Sequence, residues 1–351
     1  MAATSGRRRD AITAHTICLG LQGGGSHGAY TWGVLDRLLD EPEVRIEALS
    51  GASAGAMNAA VFAHGYLRDG RRGAQRALER FWKTVGTTAV PLFPAPPATP
   101  DAATSAYVSL TRYFSPYQLN PFNINPLRAV VSEQIDFELL RRSSPVRLFI
   151  SATRVRDGAL RIFTERELTP EALLASACIP SLHHAVSIDG ESYWDGALTA
   201  NPPVSPLVYD CDAPDVVIVA LTPKGNAAPA PSTADAIVDR FNQISFSAAL
   251  STELRSVADA MARARRARFT LGAVDSRLRA LRLQVLEAAP GLAALDAATR
   301  FKTDAAFIAS LHAHGRRAAD EWLQRRWRDT ENGGRFGVGA GRAGELTFNP
   351  L

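Results

Sequence analysis

The stretch Ile46 to Asn58, IEALSGASAGAMN, restricts the fold of this chain more than any other. An apolar run ends in Ser50-Gly51-Ala52-Ser53-Ala54-Gly55 and continues into Ala56 to Ala63, which is apolar apart from Asn58. The pattern predicts a strand, a tight turn with Ser53 at its apex, and a buried helix. It fits the G-x-S-x-G nucleophile elbow, in which strand and helix nearly touch. Gly51 and Gly55 remove Cβ atoms that would clash there and permit unusual backbone angles. The helix N-terminus beneath the serine favours negative charge. Ser53 is therefore a candidate acyl-transfer nucleophile. A Gly/Ser turn that only caps a helix would show the same short pattern, so the rest of the chain has to decide.

Upstream, Thr16 to Gln22 (TICLGLQ) reads as a buried strand, and Gly23-Gly24-Gly25-Ser26-His27-Gly28 follows it. Ala29 to Asp40 then has helical spacing, with Tyr30, Val34, Leu35, Leu38 and Leu39 on one side. Strand, glycine loop, helix, strand, elbow and helix make a βαβα unit, which predicts an α/β fold with a parallel sheet. Residues 74–85 look helical, whereas 91–101 (PLFPAPPATPD) is too proline-rich for regular structure. We read 86–127 as an insertion over the C-terminal edge of the sheet, with aromatics suited to an acyl channel or to anchoring a surface excursion. Pro145 to Thr153 and Ala159 to Thr164 form a predicted hairpin, a helix begins at Thr169-Pro170-Glu171, and a second hairpin turns at Asp189-Gly190 and ends in Asp195-Gly196-Ala197. Asp215 to Leu221 is a predicted core strand, and 234–328 reads as helical with a break near Pro290. Eight arginines between Arg255 and Arg282 give that part a basic face, either solvated or turned toward anionic membranes.

Composition sets outer limits. A formal charge of +4 on 351 residues does not call for nucleic acid as a partner. Cys18, Cys178 and Cys211 are too far apart in sequence for a disulfide framework or a zinc motif, which predicts a reducing, cytoplasmic setting, with at most peripheral contact at a membrane surface. The first residues, MAATSGRRRDAITAH, lack the apolar core of a secretory signal, and no run of about 18 apolar residues predicts a membrane-spanning helix.

Ester hydrolysis through serine needs a nucleophile, a base and an oxyanion hole. Consecutive glycines let N–H groups converge, so the loop Gly23, Gly24, Gly25, Ser26, His27 and Gly28 is the candidate hole. The same loop matches G-x-G-x-x-G, but a dinucleotide site expects an acid at the end of the second strand. That strand ends in Leu49-Ser50-Gly51, and Glu47 comes too early. For the base, a Ser–acid–His order would require His312 or His314, which lie in a polar helical run, and His183-His184 could lie near the site or serve structure. Asp195 is the alternative: it closes a strand before Gly196 and can act as a base within hydrogen-bond reach of the serine, although D-G pairs are commonly plain turns.

Taken together, the glycine loop at 23–28, Gly51-Ala52-Ser53-Ala54-Gly55 and Asp195-Gly196-Ala197, in that order and spacing, resemble the patatin-like phospholipases. Ala175-Ser176-Ala177-Cys178-Ile179-Pro180 resembles a further block of that family, and the likeness spans about 16–222. The resemblance implies a three-layer α/β/α fold with a mainly parallel sheet, a Ser53–Asp195 dyad without a catalytic histidine, and no metal or cofactor. With the helical pattern read above and the Gly-rich end, the chain divides into a disordered start at 1–14, a catalytic domain over 15–222, a helical region over 223–330 packed on it, and a Gly-rich tail over 331–351. The family often carries Arg or Lys where this chain has His27, which is cationic only below its usual pKa near 6.5. The expected activity is hydrolysis of a lipid ester, phospholipid or lysophospholipid. The alternatives are an intracellular hydroxyalkanoate polyester depolymerase or an acyltransferase on the same site, and a non-catalytic nucleotide-binding or membrane-docking module.

Overall fold

The structure is a computed structural model that describes residues 15–87, 110–111, 113–222, 230–269, 272–288, 292, 295 and 297–331. The expected disordered start, the proline-rich run 91–101 and the tail from 332 onward lie outside the described residues.

β1 (His15–Leu21), a 3-10 turn (Gly25–His27), α1 (Gly28–Leu39), β2 (Val44–Gly51) and α2 (Ala54–Thr87) follow in the predicted order. β1 pairs in parallel with β2, which brings Leu21 opposite Gly51, so the glycine loop and the elbow leave the sheet side by side. The helix expected at 74–85 is the second arm of α2. The chain breaks at Asp69 and Gly70, where Gly70 has φ 52°, and the second arm carries Phe81 and Trp82 inward. Trp82 Nε1 donates to Asn58 Oδ1 (2.9 Å), and Asn58 Nδ2 donates to Gly28 O (2.9 Å). This relay ties the second arm to the elbow helix and the glycine loop.

Two short helices, α3 (Pro116–Leu119) and α4 (Pro126–Gln134), lead to α5 (Phe137–Ser143) and then to β3 (Arg147–Arg154). β3 and β4 (Leu160–Thr164) form the first expected hairpin, α6 (Pro170–Ser176) follows, and β5 (Val186–Ile188) and β6 (Glu191–Asp195) form the second. β3 gives one edge to β4. Its other edge serves two partners in succession: β2 stops at Gly51, opposite Ile150, and β6 takes over with Asp195 opposite Ala152. The end of β6 is thereby delivered just beyond the elbow.

After α7 (Ser205–Tyr209), β7 (Asp215–Val219) pairs in parallel with the free edge of β1. Among the described residues, α8 (Ala234–Arg266), α9 (Ala273–Ala280), β8 (Arg282–Leu286), a 3-10 turn (Ala297–Phe301) and α10 (Ala305–Glu331) follow. The sheet order is β5-β6-β3-β2-β1-β7-β8, with β4 also on β3, and its central pairings are parallel. The fold is thus α/β, a mostly parallel sheet flanked by helices.

The helical expectation for 234–328 fails at Arg282–Leu286, which extends the sheet in parallel with β7. β7 is buried along its whole length, and a bare edge beside it offers backbone hydrogen bonds that outweigh a weak local helix preference. At least four of the eight arginines of the basic face are spent on intramolecular contacts. Arg277 donates to the carbonyls of Leu207, Val208 and Asp212, Arg265 to Leu281 O, Arg279 to Ala264 O and Ala267 O, and Arg282 pairs with Asp215. α10 lies across α1 so closely that a Cβ on Gly33 would stand 2.0 Å from His312 O, and one on Gly315 would stand 1.9 Å from Tyr30 O. Among the described residues no helix is long and apolar enough to cross a membrane.

Candidate active site

Ser53 sits at the apex of the turn with φ 53°, in the left-handed region that a non-glycine residue enters only under constraint. The constraint is visible. Its N–H is held between the carbonyl and the hydroxyl oxygens of Ser176, each at 3.0 Å, and Gly55 N–H donates to Ala52 O at 2.8 Å. A Cβ on Gly55 would stand 2.0 Å from Leu21 O, so only glycine lets the helix start this close to β1. Gly51, the last residue of β2, faces the backbone of Gly55.

Asp195 is 1% exposed and ends β6. Its N–H donates to Cys178 O (2.8 Å), and Thr153 Oγ1 donates to its carbonyl (2.8 Å). Gly196 and Ala197 continue as a 3-10 turn, and the Ala197 N–H donates to Asp195 Oδ1 at 2.8 Å. The Ser53 hydroxyl approaches the same carboxylate closely enough to favour its charged form. Burial wins over both donors and pushes the Asp195 pKa up to about 7. A carboxylate with that pKa holds or releases a proton near neutral pH, as a general base requires.

The glycine loop passes beside this pair, and its members differ in availability. Gly23 N–H is committed to Asn201 Oδ1 at 2.7 Å. His27 N–H donates to Gly24 O (3.2 Å), and Gly28 N–H turns back to Gly25 O and Ser26 O. Among the described residues, no partner takes the N–H of Gly24 or Gly25. Gly25 has φ 57°, and a Cβ there would meet Arg300 O at 2.3 Å. The His27 side chain is 4% exposed, with Nε2 2.8 Å from Thr299 Oγ1. Burial, aided by the nearby charge of Arg300, pushes its pKa down to about 4, so His27 is neutral at physiological pH and does not stand in for a cation.

A cavity opens at Ser53. Met57, Phe81, Trp82, Val85, Leu127 and Leu174 make its wall apolar, and Gly25, Ser26, His183 and Arg300 add the polar part. His183 is held neutral as well, its pKa pushed down to about 4, chiefly by burial. His184 Nε2 donates to Pro116 O (3.2 Å) and its ring stacks on Tyr117 at 4.0 Å between ring centroids, which docks the 115–127 segment beside the site. The histidines of a Ser–acid–His order are elsewhere: His312 Nε2 lies 3.0 Å from Asp36 Oδ2, and His314 Nδ1 lies 2.7 Å from Ser310 O. Glu47, the acid weighed for a dinucleotide, accepts the N–H groups of Asp212 (2.8 Å) and Ala213 (2.6 Å).

Ser176, Asn201 and Arg300 join the site without a sequence signal that gives them a role: Ser176 lies in the block Ala175 to Pro180, and nothing local marks the other two. The fold also gathers Cys18, Cys211 and Glu47, whose ligand atoms lie within 4.8 Å of one another, although the sequence spacing of the cysteines gave no such sign. Three donors, with the carboxylate already taken by two N–H groups, fall short of the four of a structural zinc site.

A search of solved structures finds VipD from Legionella pneumophila at 15% identity and TM-score 0.39, covering 88% of this chain and 67% of that one. It also finds the heterodimeric ExoU–SpcU complex of the type III secretion system of Pseudomonas aeruginosa at 16% identity and TM-score 0.36, covering 90% of this chain and 52% of that one, so this chain spans about half its length. A comparison with curated proteins finds no match. The family model described as patatin-like phospholipase matches residues 19–208, more than half of the chain, and supports lipid-ester hydrolysis as the general activity. That span takes in the glycine loop, the elbow and Asp195, and the chain belongs to the patatin-like phospholipase family.

Proposed function

We propose that the protein hydrolyses a carboxylic ester of a phospholipid or lysophospholipid through Ser53 and Asp195. The observation that carries this reading is the buried Asp195 carboxylate facing the Ser53 hydroxyl at the strained elbow. Ser53 Oγ attacks the ester carbonyl while its proton passes to Asp195, and the Gly24 and Gly25 N–H groups take the developing oxyanion. Collapse of the tetrahedral intermediate expels the alcohol, which leaves with the proton from Asp195. Water then attacks the acyl-enzyme, gives a proton to Asp195, and the fatty acid departs as Ser53 recovers its hydrogen. The apolar wall from Met57 to Leu174 suits the acyl chain. A fluorophosphonate probe should label the protein stoichiometrically at Ser53. Labelling at another residue, or none, would refute the nucleophile assignment.

The lipid would be met at a surface. Tyr113 (83% exposed), Phe122 (84%) and Ile124 (59%) stand in water on the segment that also supplies Asn125 and Leu127 to the cavity. Exposed apolar side chains on a segment that lines the cavity suit shallow insertion into a bilayer interface. The double change Tyr113→Asp and Phe122→Asp should lower turnover of phospholipid in vesicles, relative to a water-soluble short-chain ester, by about fivefold or more. Paired rate measurements on the two substrates read this ratio, and an unchanged ratio would remove the segment from the surface contact.

A further inference from the structure

Among the described residues, Arg300 is the one arginine, lysine or carboxylate on the wall of the largely apolar cavity at Ser53. It comes from the 3-10 turn Ala297–Phe301, far from the elbow in sequence, yet it lines the same cavity as Ser53, Gly25 and Ser26. Its position is fixed twice: its backbone carbonyl packs on Gly25, and the neighbouring Thr299 hydroxyl holds the His27 ring at 2.8 Å. Among the described residues no carboxylate pairs with it, and burial alone shifts its pKa, downward. Arg300 is half-buried, and withdrawing even part of a guanidinium from water without a counter-charge is costly. The Ser26 hydroxyl on the same wall is buried and, among the described residues, has no hydrogen-bond partner. Two unanswered donors on one wall, one of them a planar fork of N–H groups, match the geometry of a phosphate.

We propose that Arg300, with the Ser26 hydroxyl, forms a phosphate-binding subsite beside Ser53, and that it selects acyl esters bearing a phosphate over neutral esters of the same acyl chain. The proposal rests on the acyl-hydrolase reading above and names its substrate class. A phosphate one glycerol unit from the scissile carbonyl supplies the counter-charge in the ground state, whereas a neutral polyester leaves the guanidinium unpaired. A role at the oxyanion would act differently, because every ester develops that charge alike.

The test compares a 1-acylglycerol 3-phosphate with the monoacylglycerol of the same chain, both in the same neutral detergent micelles. Arg300→Gln should lower the phosphate-to-neutral ratio of kcat/KM by about tenfold or more, chiefly through KM, and Arg300→Lys should recover part of it. An equal loss on both lipids, or a loss on neither, would overturn the subsite. Calorimetric binding of the two lipids to Ser53→Ala protein, with and without Arg300→Gln, reads the same preference without turnover. Binding preference that depends on Arg300 in a protein that turns over neither lipid would sink the hydrolase reading and keep the subsite. Competition by inorganic phosphate, with no preference between the lipids, would make the position an effector site and overturn the proposal.

Discussion

Ser53→Ala is expected to cut acyl-ester turnover by about 10³-fold or more and to abolish fluorophosphonate labelling. The elbow should survive the change. The turn is held by backbone contacts, Ser53 N–H to Ser176 and Gly55 N–H to Ala52, and alanine suffers the same left-handed φ as serine. Thermal unfolding close to that of the parent protein would therefore accompany the lost activity. The Asp195 carboxylate loses one of its two stabilising donors in this variant, so its pKa should rise further. Rates with a p-nitrophenyl acyl ester and unfolding by circular dichroism measure both effects. Turnover within tenfold of the parent would reject Ser53 as the nucleophile.

Asp195→Asn should lower kcat/KM by about 10² to 10⁴-fold, the range of a lost general base, and should also change how stability responds to pH. Burial raises the folded-state pKa of Asp195 from 3.8 to about 7. Between those values the folded protein binds the proton more tightly than the unfolded chain. Stability contributed by this group is therefore present at low pH and falls as pH rises through the window, by at most about 1.4 kcal/mol per unit. The amide variant carries no such charge and still offers an oxygen to the Ala197 N–H. Its Tm relative to the parent should climb from pH 5 to pH 8. The parent's kcat/KM on a neutral ester should rise with pH and level off above about 7, as the base loses its proton. A flat profile from pH 5 to 8, or a Tm difference independent of pH, would contradict the assignment of Asp195 as the buried base.

Much of the catalytic half was legible because its signals are short-range. Gly51 and Gly55 mark a turn where strand and helix touch, Pro at the start of α6 marks a helix N-terminus, and Asp189-Gly190 marks a hairpin. The mistaken helix at Arg282–Leu286 arose from a segment whose conformation is set by β7, some 60 residues earlier, rather than by its own periodicity. α1 shows the same limit. Its spacing marks one apolar face, yet Trp32 and Gly33 off that face are buried too, because α10 lies over them. The arginines of α9 read as a basic face, but the fork of Arg277 reaches backbone carbonyls of α7 and the turn after it and that of Arg279 reaches carbonyls at the end of α8, contacts that no helical wheel contains.

The sequence by itself determined the parts: a serine at a turn that only small neighbours allow, a glycine loop one strand away, and an aspartate at the end of a hairpin. Their cause is local sterics, which act over a few residues. The tertiary structure decided what those parts become. β2 ends at Gly51 and β6 takes up the same edge of β3, which is how Asp195 is delivered to face Ser53. Burial then sets the charges, leaving His27 neutral and raising the Asp195 pKa toward 7, because the desolvation of a group depends on everything packed around it. Arg300 enters the site for the same reason: the turn that carries it packs on Gly25, and that contact joins segments the sequence keeps far apart.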